Sequence, residues 1–202
     1  MQLLCHRGVW STRGEQNTLA AFRRAWDNGW GIETDLRDHQ GRVVVSHDPA
    51  RDDALPLEQL LDEHGRHGGG SPLALNIKAD GLAAPVAHAL TAAGTDGAFV
   101  FDMSVPDALS YLKAGVPTWT RWSDVEPDPV LLEQSSGVWV DAFASDAWWT
   151  ASELAAAATE RPLCIVSPEL HGRAPELVWE QVADLPVSLC TDRPFDVERS
   201  FS

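Results

Sequence analysis

Short apolar runs alternate with longer segments of helical period along the chain, and this alternation limits the fold more than any other feature. Runs at Leu3 to Cys5, Gly31 to Leu36, Leu73 to Ile77, Ala98 to Phe101, Val116 to Thr120, Gly137 to Val140, Leu163 to Val166 and Val187 to Cys190 have the length and apolar content of strands. Thr18 to Asn28, Leu57 to His64, Leu82 to Ala93, Val105 to Lys113, Pro129 to Gln134, Ser152 to Thr159 and Ala174 to Val182 read as helices, several opened by Thr, Ser or Pro and closed by Gly. Arg42 to Ser46, after the turn Asp38-His39-Gln40-Gly41, predicts a hairpin that extends the second strand. Strands and helices alternating in this way predict an α/β fold, a compact (β/α)8 TIM barrel that uses residues 1–202 as one domain. Helices must be trimmed, because the usual barrel runs to about 250 residues. An open doubly wound sheet is the structural alternative, but no Gly-x-Gly-x-x-Gly follows the first strand. Gly68-Gly69-Gly70 precedes a strand instead of opening a helix, so it reads as a loop and not as a phosphate cradle.

Thirty acidic against fifteen basic residues give a formal charge of −15, which repels nucleic acid and anionic membranes. Any bound phosphate must therefore be held by a few placed cations or by a metal. No apolar run approaches membrane-spanning length, and His6 follows the start too closely for a signal peptide, so a cytoplasmic location is expected. Cys5, Cys164 and Cys190 each lie in or beside an apolar run and read as small buried side chains. A nucleophilic Cys5 beside His6 is the less economical account. The oligomeric state is left open.

In a barrel the active site sits at the C-terminal ends of the strands. Here those ends carry His6 and Arg7, Glu33 and Asp35, Asn76 and Lys78, then Asp102, Arg121, Asp141, Glu169 and Thr191-Asp192. Glu33 and Asp35 are two apart on a strand and share a face, as hard-oxygen ligands for Mg²⁺ or Ca²⁺ would. Asn76 could add an amide oxygen, and Lys78 a charge for a phosphate. Arg7 offers a planar fork for phosphate oxygens, and His6 and His47 are the candidate general acid and base on a P–O bond. Glu169, after the seventh strand, is a further candidate ligand, with His171 and Asp141 nearby in the same set of loops. Trp10 would stand over the mouth as an apolar wall, whereas Trp148-Trp149 reads as packing. Each of these residues alone also suits a solvated strand end, and their joint placement carries the inference.

The ordered set His6-Arg7-Gly8, Asn17-Thr18-Leu19-Ala20-Ala21-Phe22, Gly31-Ile32-Glu33-Thr34-Asp35 and Val45-Ser46-His47-Asp48-Pro49, with the later Cys190-Thr191-Asp192-Arg193-Pro194, resembles the glycerophosphodiester phosphodiesterase family. The likeness is close in the first third and loose in the middle. It implies a (β/α)8 barrel that uses a divalent metal to hydrolyse small glycerophosphodiesters to an alcohol and glycerol 3-phosphate. It also implies His6 and His47 as acid and base, Arg7 on the phosphate, and Glu33 and Asp35 on the metal. Two positions depart from the pattern. Gln16 stands where the family has Glu before the Asn-Thr pair, with Glu15 displaced by one. Asn76 occupies the third strand where the family has an acid, a loss that Glu169 or Asp141 could offset. A phospholipase-type or cyclic-phosphate-forming lyase on the same fold, and a catalytically silent phosphodiester-binding barrel, are the alternatives.

Overall fold

The computed structural model describes residues 1–201. Its strands are β1 (Gln2–His6), β2 (Gly31–His39), β3 (Arg42–Val45), β4 (Leu55–Pro56), β5 (Leu73–Ile77), β6 (Ala98–Phe101), β7 (Trp119–Ser123), β8 (Gly137–Asp141), β9 (Leu163–Val166) and β10 (Ser188–Thr191). The helices are α1 (Leu19–Trp26), α2 (Leu57–His67), α3 (Ala83–Ala93), α4 (Val105–Lys113), α5 (Ala151–Glu160), α6 (Glu176–Val182) and α7 (Pro194–Ser200). Parallel pairing runs from β6 through β5, β2, β1, β10, β9 and β8 to β7. One parallel bridge, Val100 to Thr118, closes the ring, with the Val100 amide donating to the Pro117 carbonyl at 2.9 Å. The result is the expected eight-stranded barrel. β3 pairs antiparallel with the far end of β2, and β4 pairs antiparallel with β3, beyond the C-terminal end of the barrel strands.

Alternation along the strands sorts side chains into two cores. Outward residues such as Leu3, Ile32, Leu36, Leu75 and Val100 pack under the helices with Phe22, Leu60, Val86 and Trp179. Inward residues form a smaller cluster of Leu4, Ala74, Phe99, Phe101, Trp139, Cys164, Val166 and Cys190. Phe99 stacks on Trp119 at 3.8 Å and Phe101 on Trp139 at 3.9 Å, so aromatic side chains from β6, β7 and β8 fill the interior. Ala74, Cys164 and Cys190 leave room for them. All three cysteines are free and buried, and burial pushes each thiol up, which keeps Cys5 a packing residue. Trp149 is buried in the outer core and Trp148 stands edge-on to Trp122 at 5.0 Å.

Among the elements that differ from the sequence expectation, three affect the barrel itself. The strand expected at Val116 to Thr120 begins later, at Trp119, because Pro117 has no amide to give to a ladder. It runs on to Ser123, where Ser123 and Glu126 exchange backbone hydrogen bonds of 3.1 Å. The helix expected at Pro129 to Gln134 is only a 3-10 turn, Leu132–Gln134, preceded by Leu131 at φ 60°. Pro127 and Pro129 bias their predecessors to extended backbone, and side chains tie the segment down instead: Trp122 Nε1 donates to the Pro127 carbonyl and Thr120 Oγ1 to that of Val130. Finally, α7 follows β10 with Pro194 in its first turn, a short helix that periodicity did not reveal.

Gly137 lies directly across from Trp119 in the β7–β8 register, and a Cβ there would come within 2.2 Å of the indole. Gly137→Ala is expected to destabilise the fold by roughly 1–3 kcal/mol through overpacking. Gly14→Ala, with open space around it, serves as the control. Equal urea midpoints for the two variants would show that the stacked Trp119 can yield.

Candidate active site

The parity that puts Leu4, Ala74 and Cys190 inside the barrel also turns His6, Asn76 and Asp192, two residues further on, toward its mouth. On β2 the same face carries Glu33 and Asp35, both almost fully buried. His6 Nδ1 donates to Asp192 Oδ1 at 2.7 Å, and its Nε2 lies 3.9 Å from Glu33 Oε2. A carboxylate only accepts, so Asp192 fixes the proton on Nδ1 and leaves Nε2 as the face for chemistry. Burial works against the charged imidazolium most strongly. The Asp192 hydrogen bond and the charges of Glu33 and Asp192 outweigh it, and the His6 pKa is raised.

Asp35 is ringed by donors. Asn17 Nδ2 donates to its Oδ2 at 2.9 Å, Arg7 Nε lies 3.0 Å from the same oxygen, and Lys78 Nζ lies 3.6 Å from Oδ1. Asn17 is itself held by Thr34 Oγ1, which donates to its amide oxygen at 2.8 Å. Arg7 and Asn17 both have φ 59°, a left-handed conformation stabilised here by two backbone bonds: Arg7 N to Glu33 O and Asn17 N to Arg7 O. Gly8, at φ 83°, then passes so close to α1 that a Cβ would meet Ala21 at 2.7 Å. At the departing position, Gln16 accepts from Arg7 Nη1 at 3.4 Å, while Glu15 pairs with Arg24 at 2.5 Å.

Glu33 Oε2, Asp35 Oδ1 and Asn76 Oδ1 are buried oxygens with no hydrogen-bond partner. Asp35 and Asn76 are direct neighbours in the β2–β5 register. Among the described residues no group of three or more His, Cys, Asp or Glu side chains converges as a metal site. Two carboxylates and an amide oxygen nevertheless form an oxygen-only donor set that suits a hard divalent cation retaining other ligands. Glu169 has different partners. Its Oε1 accepts from Thr191 Oγ1 at 2.5 Å and from the Asp192 amide at 3.1 Å, and its other oxygen accepts from Ser167 Oγ. It braces the end of β10 that carries Asp192. Asp141 accepts from His171 Nε2 at 2.7 Å.

The other expected residues surround this centre. Trp10 Nε1 donates to the His6 carbonyl at 3.0 Å and fastens its loop over β1. Lys78 also reaches Asp102 Oδ2 at 3.7 Å, and Asp102 pairs with Arg121. His47 is half exposed on the loop after β3, with Nδ1 3.0 Å from Asp48, and its carbonyl accepts from Arg37 at 2.9 Å. Among the described residues no hydrogen bond, ion pair or ring contact joins His47 to His6. The two share only the neighbourhood of Arg7, which lines one open groove of about 640 Å³ with His47, Gln16 and Asn17. Sequence patterning gives Asn17 no role and marks Asp192 only as one polar strand end among several, although both lie within the motifs. An amide two residues after Glu15 and an acid at the last strand end were the available signals.

Burial first, and then the charge of Asp35, pushes the Glu33 carboxyl from the usual 4.5 up to about 7, with His6, Lys78 and Arg7 pulling it back. A raised acid favours the protonated folded state. Its contribution to stability is therefore full below pH 4.5 and lost as pH rises through about 7. In chelator, the Tm of the parent is expected to fall more between pH 5 and pH 8 than that of Glu33→Gln, and Mg²⁺ or Ca²⁺ should raise the parent's Tm more at pH 8 than at pH 5. Matching pH slopes for parent and variant would assign the titration elsewhere.

No protein-family model matches the chain, and no curated protein matches it in sequence. Solved structures do match in fold. A glycerophosphodiester phosphodiesterase from Agrobacterium tumefaciens is 16% identical with TM-score 0.71, covering 97% of each chain. One from Thermotoga maritima is 16% identical with TM-score 0.69, covering 98% of this chain and 97% of that one. A glycerophosphoryl diester phosphodiesterase from Parabacteroides distasonis is 12% identical with TM-score 0.60, covering 99% and 85%. Among the described residues no helix is long and apolar enough to cross a membrane. The chain thus has the barrel fold seen in these phosphodiesterase structures over nearly its whole length.

Proposed function

We propose that this protein hydrolyses small glycerophosphodiesters to an alcohol and glycerol 3-phosphate with the help of a divalent cation, Mg²⁺ or Ca²⁺. The observation that carries the reading is His6, its Nδ1 proton held by Asp192, with Nε2 beside a buried carboxylate that has an unpartnered oxygen. Glu33, Asp35 and Asn76 would hold the cation, which when bound supplies positive charge to the phosphoryl oxygens. Arg7 and Lys78 add fixed positive charge at the same end of the barrel.

His6 Nε2 exchanges a proton with the oxygen that attacks or leaves phosphorus, and His47 does so on the other side of the bond, from its more exposed loop. The interior beneath is packed with apolar side chains. Trp10 forms part of the wall for the alcohol. The fold match to phosphodiesterase structures supports the reading. A second reading, a phosphodiester-binding barrel without turnover, is favoured by one observation: Arg7 and Lys78 already compensate the charge of Asp35.

The test is release of glycerol 3-phosphate from a panel of glycerophosphodiesters in chelator, Mg²⁺ and Ca²⁺. Turnover is expected only with metal, reduced by roughly 10²–10⁴-fold in His6→Ala or His47→Ala. Binding of the diesters without release in any arm would select the silent barrel. A cyclic phosphate as the final product would select the lyase chemistry. Asp192→Asn should move the acid limb of the kcat/KM profile to lower pH, because burial then acts on His6 without the Asp192 bond to oppose it. An unmoved limb would show that His6 is not the titrating base.

A further inference from the structure

Of the fifteen Lys and Arg side chains, four have no hydrogen bond or ion pair among the described residues: Arg13, Arg42, Arg51 and Lys113. Two of the four, Arg13 and Arg51, line the groove that also holds Arg7 and His47. In a chain of charge −15, two uncompensated guanidiniums facing one groove are not a by-product of a basic surface. Neighbouring acids are turned to other partners. Glu15, two residues from Arg13, pairs with Arg24 and accepts from the Ser11 amide. Asp52, next to Arg51, accepts from Gln40 Nε2 at 2.8 Å and lies 2.9 Å from His39 Nε2. Of the acids that line the groove, Asp48 is engaged by His47, which leaves Asp53 against the two arginines.

We infer that this groove takes a glycerophosphodiester whose alcohol carries a second anionic group, a phosphomonoester or a carboxylate, held by Arg13 and Arg51. The inference rests on the phosphodiesterase reading and deepens it. Arg7 both lines the groove and lies 3.0 Å from Asp35, which ties the groove to the place where the scissile phosphate would lie, and His47 lines it as well. Glycerol hydroxyls can accept hydrogen bonds but carry no charge to compensate two guanidiniums, so an added anion would belong to the alcohol. Planar guanidinium forks suit phosphate and carboxylate oxygens alike. The net negative charge of the whole chain disfavours an anionic lipid surface, so the source is a soluble diester.

The experiment compares kcat/KM for glycerophosphoinositol and glycerophosphoinositol 4-phosphate, which differ by one phosphomonoester, with the corresponding phosphatidyl lipids in phosphatidylcholine vesicles as a second pair. The parent should prefer the phosphorylated soluble diester by roughly tenfold, a preference that weakens with added salt. In Arg13→Gln/Arg51→Gln the ratio should collapse toward one through KM, whereas Arg42→Gln should keep it. Equal kcat/KM for the two soluble diesters in the parent, or an equal loss for both in the double variant, would overturn the inference. Preferential turnover of the vesicle lipids would overturn the soluble source. If no diester is turned over, the phosphodiesterase reading fails, and calorimetric titration with glycerophosphoinositol 4-phosphate decides the groove separately. Binding lost in the double variant and kept in Arg42→Gln would support it, and equal binding would reject it.

Discussion

The mouth of this barrel is organised around a buried like-charge pair, Glu33 and Asp35, that one strand face forces together. Burying a carboxylate is tolerated only where cations and donors compensate it. Asp35 has Arg7, Lys78 and Asn17, and the loop between β1 and α1 takes its shape from them. Arg7 and Asn17 adopt left-handed backbone, bond to one another, and deliver their side chains to the same carboxylate. Without Asp35 the two cations would lose their buried partner, and the conformation of residues 7 to 17 would lose its reason. Burial, and then the charge of Asp35, hold the proton of Glu33 more tightly than that of an ordinary glutamate, and His6, Lys78 and Arg7 offset this only in part.

Beneath that pair the barrel is packed asymmetrically. Phe99, Phe101, Trp119 and Trp139 enter from β6, β7 and β8, and Ala74, Cys164 and Cys190 recede on β5, β9 and β10. The bulky side leaves the ring joined by a single bridge between Val100 and Thr118, where Pro117 withholds an amide. The small side lies below His6, Glu33 and Asp192. Its apolar lining lowers the local dielectric, strengthens the His6–Asp192 interaction and raises the energy of an ionised Glu33. Glu169 extends this arrangement by one layer: it holds the amide of Asp192, Asp192 holds His6, and each link is a hydrogen bond to a charged group.

Much of this was legible in the chain. Leu73 to Ile77, Ala98 to Phe101 and Leu163 to Val166 are strands at the expected residues, and period-two alternation placed Glu33 with Asp35 on one face. Where reading failed, a local rule was overridden. Val116 to Thr120 had the composition of a strand, but Pro117 shifted its start. Pro129 to Gln134 had helical spacing, but two prolines and the side-chain bonds from Trp122 and Thr120 kept it irregular. The short α7, which directly follows the last strand, was not read from the chain, and it is held by Val197 buried in the outer core and Phe195 against Trp30.

The sequence by itself determined most of the barrel strands, the alternation of faces along them, and that His6, Glu33, Asp35 and Asn76 stand at strand ends, because those properties follow from spacing within one segment. Only the tertiary structure decided who meets whom. His6 and Asp192 are separated by 186 positions and become partners because β1 and β10 pair when the ring closes. Closure also left the Glu33, Asp35 and Asn76 oxygens at the mouth without hydrogen-bond partners among the described residues, turned Glu169 toward β10, and exposed Arg13 and Arg51 to one groove. A strand's pattern specifies its face but not its neighbour, and in a barrel the neighbour sets the chemistry.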